Sequence, residues 1–287
     1  MRNYVIVDDI LPTAEDLTQL RSHLKADNRR RAPDLLALDG QQDMCVAAYD
    51  ERGVLIGGVI GEAESGWLYI DTIWVASELR QNGIGRRLMQ AVEQTALQQG
   101  IRYARLITAS FQALPFYLKL GYTITGQNVN RPHGHSTYFL MKTLHREDAD
   151  LTGLHVDVPP LPSLSHTIGH YQVSASPIPI INLPYAVWAK DVYGDILGGV
   201  AGGFFWDWYD LRFLWVHESL RGQGVGTLLL ERLFAECRRR QTNGIIADTT
   251  EFQALPFYQK LGFEVLFTLE DCPLGHRNHF ITKTHFE

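Results

Sequence analysis

The chain has 287 residues, of which 45% are hydrophobic and 20% charged, and its formal net charge is −6 at pH 7. This length fits two domains of ordinary size, and the acidic balance argues against a nucleic-acid binder. The first residues lack the pattern of a signal peptide, and the longest apolar run, residues 196–206, is too short to span a bilayer. Three cysteines without paired or metal-like spacing fit a reducing compartment. We therefore expect a cytoplasmic protein that binds neither membranes nor nucleic acid.

The first half of the chain predicts an alternation of strands and helices. A short strand at residues 4–7 precedes an amphipathic helix, in which Leu17, Leu20 and Leu24 share one face. The other predicted elements are strands at 44–49, 54–61 and 67–75, a helix at 85–99, a strand at 102–108, a short helix at 112–120 and a strand at 137–141.

The second half repeats the first, 141 positions further along the chain. The segment "LRQNGIG" at residues 79–85 returns as "LRGQGVG" at 220–226, and "FQALPFYLKLGY" at 111–122 returns as "FQALPFYQKLGF" at 252–263. Self-similarity at so long a period indicates a duplicated domain. We predict domains at residues 1–145 and 150–287, forming a pseudo-dimer within one chain, with a homodimer of chains left open.

The two halves differ between the predicted domains. Charge, glycine and the "PPLP" segment predict a linker at about residues 143–162. Residues 161–184 hold prolines, serines and glycine where the first half has its amphipathic helix. We therefore expect the second domain to have lost or shortened that helix.

Each half places an Arg-x-x-Gly-x-Gly turn between a strand and a helix. The first helical turn leaves about four N–H groups unpaired and carries a partial positive charge, which suits an anion. Gly83 and Gly85, like Gly224 and Gly226, leave room for a phosphate and allow positive φ. The alternative is a turn needed only for tight packing, but two copies at equal offset favour phosphate binding.

These turns, followed by "FQALPFYxKLG" before an aromatic residue, resemble the GCN5-related N-acetyltransferase (GNAT) superfamily over both halves, roughly residues 44–143 and 186–284. The resemblance implies an α/β (α+β) fold, with two tandem domains that each hold a mixed, mostly antiparallel sheet flanked by helices. It also implies acetyl-CoA as the acyl donor, and no metal. The acceptor would be an amine of a small molecule or a peptide.

The resemblance assigns the cofactor to the two turns and to the strand ends before them. The pyrophosphate would lie on the amides of residues 81–86 and 222–227, with the pantetheine arm near Val75 and Val216. The expected cofactor-binding residues are Val75, Arg80, Gln81, Asn82, Gly83, Ile84, Gly85 and Arg86, and Val216, Arg221, Gly222, Gln223, Gly224, Val225, Gly226 and Thr227.

Acetyl transfer needs a neutral amine, a polarised carbonyl and a stabilised thiolate. The superfamily's usual acid is a tyrosine that matches Tyr117 and Tyr258. Its usual base is a strand carboxylate, which matches Asp210 in the second half, whereas the first half has Asp71 two residues further along. Arg212 is a candidate partner for Asp210. Either aspartate could instead belong to a surface salt bridge.

The sequence leaves two further classes of function open beside an acetyltransferase. The unequal carboxylates would also fit a non-enzymatic acetyl-CoA sensor, and the motifs do not distinguish acetyl from longer acyl donors. We expect the two matched histidines, His135 and His276, to make structural hydrogen bonds, because no other metal-binding residue stands at ligand spacing from either of them. We predict that Trp67 and Trp208 pack in the core. The alternative is that they form a wall of the acceptor site.

Overall fold

The computed structural model describes residues 4–34, 42–145, 155–157 and 182–286. We call residues 42–145 the first copy, residues 182–286 the second copy, and residues 4–31 the N-terminal arm. The strands are β1 Tyr4–Asp9, β2 Gln42–Tyr49, β3 Leu55–Glu64, β4 Trp67–Val75, β5 Tyr103–Ala109, β6 Thr123–Val129, β7 Ser136–Thr143, β8 His155–Asp157, β9 Asn182–Asp191, β10 Ile196–Phe205, β11 Trp208–Val216, β12 Gly244–Thr250, β13 Glu264–Leu269 and β14 Asn278–Lys283. The α-helices are α1 Ala14–Arg31, α2 Ile84–Gln98, α3 Leu114–Lys119, α4 Val225–Arg239 and α5 Leu255–Lys260.

Each copy contributes six strands to a seven-stranded sheet, which β8 completes in the first copy and β1 in the second, and this confirms the predicted fold class. The strand order is β6-β7-β5-β4-β3-β2-β8 in one sheet and β13-β14-β12-β11-β10-β9-β1 in the other. Neighbouring strands are antiparallel except for β4 with β5 and β11 with β12, which are parallel. A helix follows β4 and β11 because a parallel connection needs a crossover.

The parallel strands pair over only part of their length. In the first copy, residues 67–70 of β4 pair with residues 103–106 of β5, and the strands separate beyond that point. In the second copy, residues 208–210 pair with residues 244–246 in the same way. The separated ends of two parallel strands leave a gap in the sheet, and α2 and α4 begin beside these gaps.

Helix α2 covers one face of the first sheet. Its buried residues recur at helical spacing, with Leu88, Val92 and Ala96 fully buried. They pack with Val46, Leu68 and other residues of the sheet in one cluster. Helix α4 has the same role in the second copy, where Leu229 and Leu233 are fully buried. No helix among the described residues is long and apolar enough to cross a membrane.

The N-terminal arm belongs to the sheet of the second copy. β1 pairs with β9 over residues 4–9 and 186–191, and β8 takes the equivalent edge position beside β2 in the first sheet. The apolar face of α1 packs on the second sheet, where Leu20 is fully buried against Trp188 and Trp215. The predicted domain boundary at residues 145–150 stays a prediction. The pairing of β1 with β9 joins residues that lie on the two sides of that boundary.

The segment expected to replace the missing helix, residues 161–184, lies mostly outside the described residues, as does most of the predicted linker. Helix α1 packs on β10 and β11 of the second copy, in a cluster separate from the one that α4 forms with the same sheet. Helix α1, which the sequence analysis grouped with the first half, thus packs on the second sheet, while its start also lines the cleft of the first copy.

The two copies meet through matched residues. The indole Nε1 of Trp67 donates to the carbonyl of Asp271, and that of Trp208 donates to the carbonyl of Asn130. Both tryptophans are 2% exposed and share a buried cluster with Phe139 and Phe280. The tryptophans were predicted to pack in a core. The cluster in which they pack lies between the two copies and joins them.

Candidate active site

The first turn, residues 80–85, leads from β4 into α2, with residues 80–83 exposed, Ile84 buried and Gly85 half-buried. Gly83 caps the helix at φ +79°, and a Cβ atom there would meet nothing within 4 Å. The positive φ explains this glycine, since L side chains rarely adopt it. Gln81 has φ +68°, and the equivalent Gly222 of the second copy has φ +73°. Both copies thus hold the same turn, in which exposed N–H groups precede a helix.

Close packing explains why the last position of each turn, Gly85 or Gly226, is a glycine. A Cβ on Gly85 would lie 3.3 Å from the ring of Phe116, and one on Gly226 would lie 3.2 Å from Phe257. Such distances are tighter than ordinary contact. Packing, which the sequence offered as the alternative, therefore explains Gly85 and Gly226, whereas backbone conformation explains Gly83 and Gly224.

A cleft of about 1440 Å³ extends from the first turn along the gap between β4 and β5. Val75, Arg80, Gln81, Gly83, Ile84, Gly85 and Arg86 line one end of it. These are the residues predicted for the cofactor in the first copy, apart from Asn82. The other end is lined by the start of α1 and by the second copy, including Phe205, Trp206 and Asp210.

Tyr117 lies in the lining of this cleft, at the first turns of α3. The residue is 8% exposed, and burial raises the pKa of its phenol to about 12. A phenol with this pKa keeps its proton at neutral pH. Tyr258 holds the equivalent place in the second copy, where burial again raises its pKa.

The two predicted bases face the same cleft although they come from different copies. Asp71 is exposed and accepts a hydrogen bond from the Thr72 hydroxyl at 2.9 Å. Asp210 binds the guanidinium of Arg131, a residue of the first copy, rather than Arg212. The expectation that Arg212 is its partner is therefore wrong. The reason is that the loop before β7 brings a buried arginine across the boundary between the copies.

The charged groups of the two copies converge at Tyr69. Burial, followed by the nearby Asp71 carboxylate, raises the pKa of the Tyr69 phenol to about 12. The Asp210 carboxylate contributes to this rise, whereas Arg105 and Arg212 oppose it. The guanidinium of Arg105 lies 5.4 Å from the centre of the same ring. Side chains that the sequence placed in two separate sites thus surround one aromatic ring.

In the second copy, residues equivalent to the cleft walls contact the N-terminal arm. Asp27 of α1 accepts from Trp215 Nε1 at 3.1 Å and forms an ion pair with Arg221. The ring of His23 stacks on Trp215 with centroids 4.4 Å apart. Trp215 and Arg221 are the counterparts of Trp74 and Arg80, which line the cleft of the first copy.

The arm also reaches the loop before α5. Arg31 Nη1 donates to the carbonyl of Phe252 at 3.3 Å, and Gln253 Nε2 donates to Asn28 at 3.1 Å. Their counterparts, Phe111 and Gln112, line the first cleft. The second turn, residues 221–226, retains an exposed backbone over residues 221–224, including Gly222, Gln223 and Gly224. Val225 is buried, and Val216, Gly226 and Thr227 are half-buried.

Several residues of the site escaped the sequence analysis, chiefly Asp27, Arg131, Phe205 and Trp206. A signal for two of them was present as a break in the repeat. Arg131 stands where the second half has Cys272, and Trp206 stands where the first half has Ser65. The matched histidines are structural: His135 Nδ1 lies 3.3 Å from Ser110, and His276 contacts Glu251 and Asp34. The described residues contain no group that could hold a metal.

Comparison with known proteins gives the same picture in both copies. Residues 12–122 match the model of the Acetyltransferase (GNAT) family, and residues 184–265 match that of an Acetyltransferase (GNAT) domain. Blasticidin-S acetyltransferase of Streptomyces morookaense is 36% identical over 102 residues, which cover 34% of this chain and 74% of the relative. Acetyltransferase Atu2258 of Agrobacterium fabrum strain C58 is 27% identical over 140 residues, covering 49% and 98%.

A crystal structure of an acetyltransferase from Bacillus cereus ATCC 14579 is 30% identical, covers 46% of this chain and 94% of its own, and gives a TM-score of 0.44. Because less than half of the chain covers 98% of Atu2258, that relative has about the length of one copy.

Proposed function

The chain belongs to the GNAT family of acetyltransferases, and from this premise we propose that it transfers acetyl from acetyl-CoA to a primary amine at the first copy. The amine attacks the thioester directly while both substrates are bound. The observation that carries the proposal is the cleft, which joins the exposed first turn to Tyr117 and to a wall containing two carboxylates.

The first turn fits the diphosphate of the donor. The amides of residues 81–86 would hold it, because they lie at a helix N-terminus, and Gly83 leaves open space above them. Arg80 Nε is bound to the Val75 carbonyl at 3.1 Å, so its guanidinium stays beside the turn. Acetyl-CoA supplies an activated acyl group whose leaving thiolate must be protonated.

Tyr117 and Asp71 divide the proton transfers between them. Tyr117 stays protonated at neutral pH and donates a hydrogen bond, then its proton, to the departing sulfur. Asp71 takes a proton from the attacking amine. Asp210 is less suited to that task because its carboxylate is held by Arg131. The products are the N-acetyl amine and the free thiol.

The second copy retains the turn, but the N-terminal arm contacts several residues whose counterparts line the cleft of the first copy. Its Arg221 is paired with Asp27, and Trp215, Phe252 and Gln253 contact the arm. We therefore assign turnover to the first copy alone, and Tyr258 has no catalytic part in this proposal.

The first acceptor to test is blasticidin S, since a relative 36% identical over 102 residues carries the name blasticidin-S acetyltransferase. Peptides and aminoglycosides complete the panel, and transfer is followed by release of free thiol and by mass of the product.

Two matched substitutions test which copy works. Gly83→Glu and Gly224→Glu each place a carboxylate at the same position of a turn where a Cβ meets nothing within 4 Å. Both glycines have φ +79°, so both variants carry the same backbone strain. We expect Gly83→Glu to lower turnover at least about 100-fold, because the added charge repels phosphate. We expect Gly224→Glu to retain turnover within about twofold, and calorimetry to give one CoA per chain. The reverse pattern would assign the reaction to the second copy.

A further inference from the structure

We propose that the second copy forms the acceptor-binding wall of the first copy's active site, and that Trp206 and Asp210 of this wall select a primary amine carried on a planar ring. The inference rests on the proposed function and extends it to the choice of acceptor. It gives the second copy a part in the reaction that does not require the second turn to bind a donor.

The aromatic part of the wall lies next to the loop that leads to Tyr117. Phe205 ends β10, and Trp206 begins the turn into β11. The ring of Trp206 lies 4.4 Å from that of Phe205 and 5.9 Å from that of Phe111, measured between centroids. Phe111 belongs to the first copy, between β5 and α3. All three rings line the cleft, so the aromatic surface spans both copies close to the proposed acid.

The backbone of Trp206 has a conformation that is unfavourable for a bulky residue. Its φ is +56°, in the left-handed region where bulky side chains are outliers. The equivalent Ser65 has φ +53°, so the turn itself is common to both copies and only the second fills it with an indole. The Nε1 of Trp206 is buried and has no hydrogen-bond partner among the described residues. Strain and an unmatched donor in one cleft residue point to a binding role.

The charges of the wall select against a polycation. Asp71 and Asp210, the latter while paired with Arg131, attract an ammonium group, but Arg21 and Arg212 also line the cleft. A second or third ammonium would face these guanidinium groups, whereas a planar ring would find the aromatic surface. The acceptor class that fits both features is a monoamine within a few bonds of a planar ring.

A pair of probe amines isolates the contribution of the ring. 2-Phenylethylamine and 2-cyclohexylethylamine have the same amine, spacer and ring size, but only the first ring is planar. With the full-length protein and saturating acetyl-CoA, we expect kcat/KM to favour the phenyl compound by about 2–12-fold, the range that aromatic pairing gives. Spermidine serves as the polycation and is expected to be the poorest of the three.

Two variants assign this preference to residues. Trp206→Ser installs the residue that the same turn carries in the first copy, and we expect it to remove the preference for the phenyl ring. Asp210→Asn is expected to raise KM for both ring amines about 10-fold, with kcat retained. If Asp210 were instead the general base, kcat would fall and KM would stay. Tyr193→Ser, at an 88% exposed aromatic of the second copy, is the control.

Calorimetric titration with CoA separates this inference from the proposed function. Both variants should bind CoA like the unmodified protein, because neither residue lies at the first turn. The inference is overturned if Trp206→Ser keeps the preference, or if the ring amines are neither acetylated nor bound while spermidine or blasticidin S is acetylated. Failure of the unmodified protein to bind CoA would instead count against the proposed function.

Discussion

Tyr117 and Tyr258 hold equal positions in the two copies, yet only Tyr117 is proposed to meet a substrate. Removing its hydroxyl in Tyr117→Phe should lower kcat by about 100-fold, the lower end of what a general acid contributes. Tyr258→Phe is the matched control and should keep kcat within about twofold. Initial rates of thiol release at pH 7.5 measure both. Equal losses in the two variants would contradict the assignment of turnover to the first copy.

Residues that repeat were predictable, and residues that break the repeat were missed. The turn glycines and the tyrosines could be assigned because two copies constrain each other. Asp27, Arg131 and Trp206 act across the boundary between copies, and no local pattern reports a contact over 79 or 194 positions. The sequence likewise placed Asp71 and Asp210 in separate sites, because it does not reveal that both residues line one cleft.

At the level of elements, α1 is held on the second sheet by a buried carboxylate. The side chain of Asp27 is 7% exposed and binds Arg30, Arg221 and the indole of Trp215. Asp27→Ala leaves that indole without its acceptor, so we expect the free energy of unfolding to fall by about 1–3 kcal/mol. Glu15→Ala, at an exposed position of the same helix, is the control. Urea denaturation followed by tryptophan fluorescence measures both, and equal midpoints would contradict this role for Asp27.

The helix itself was predictable, but its partner was not. Leu17, Leu20 and Leu24 mark an apolar face, as predicted, and Thr13 caps the helix by accepting from the Asp16 amide at 3.0 Å. An apolar face indicates that a helix packs against another element, but it does not indicate which sheet that element is. Both copies offer a similar sheet surface and edge strand, so the sequence contained no local reason to prefer β9 over β2 as the neighbour of β1.

At the scale of the whole molecule, the buried tyrosines predict a loss of stability in alkali. Burial raises the pKa of six tyrosines above the ordinary value: Tyr69, Tyr117, Tyr122, Tyr185, Tyr209 and Tyr258. Below pH 10 both folded and unfolded chains keep these protons, and the contribution to stability is complete. Above pH 10 the unfolded chain loses them first, so each tyrosine lowers the free energy of unfolding by up to about 1.4 kcal/mol per pH unit until its folded pKa is reached.

We therefore expect the urea midpoint to fall steeply between pH 10 and pH 12, with tyrosine ionisation and unfolding occurring together. Absorbance at 295 nm and tryptophan fluorescence follow the two events in one titration. Ionisation of all tyrosines near pH 10 in a chain that remains folded would show that these phenols are not buried as described.

The pairing of β1 with β9 also sets an order of events during synthesis. The arm leaves the ribosome before its partner strand, which begins at Asn182, about 150 residues after the arm ends at Arg31. At 5–20 residues per second, that interval lasts roughly 8–30 s. Throughout it, the apolar face of α1 lacks the surface that finally covers it. A segment made before both copies is thus among the last to reach its native neighbours, and we expect a nascent chain to be open to capture by chaperones there.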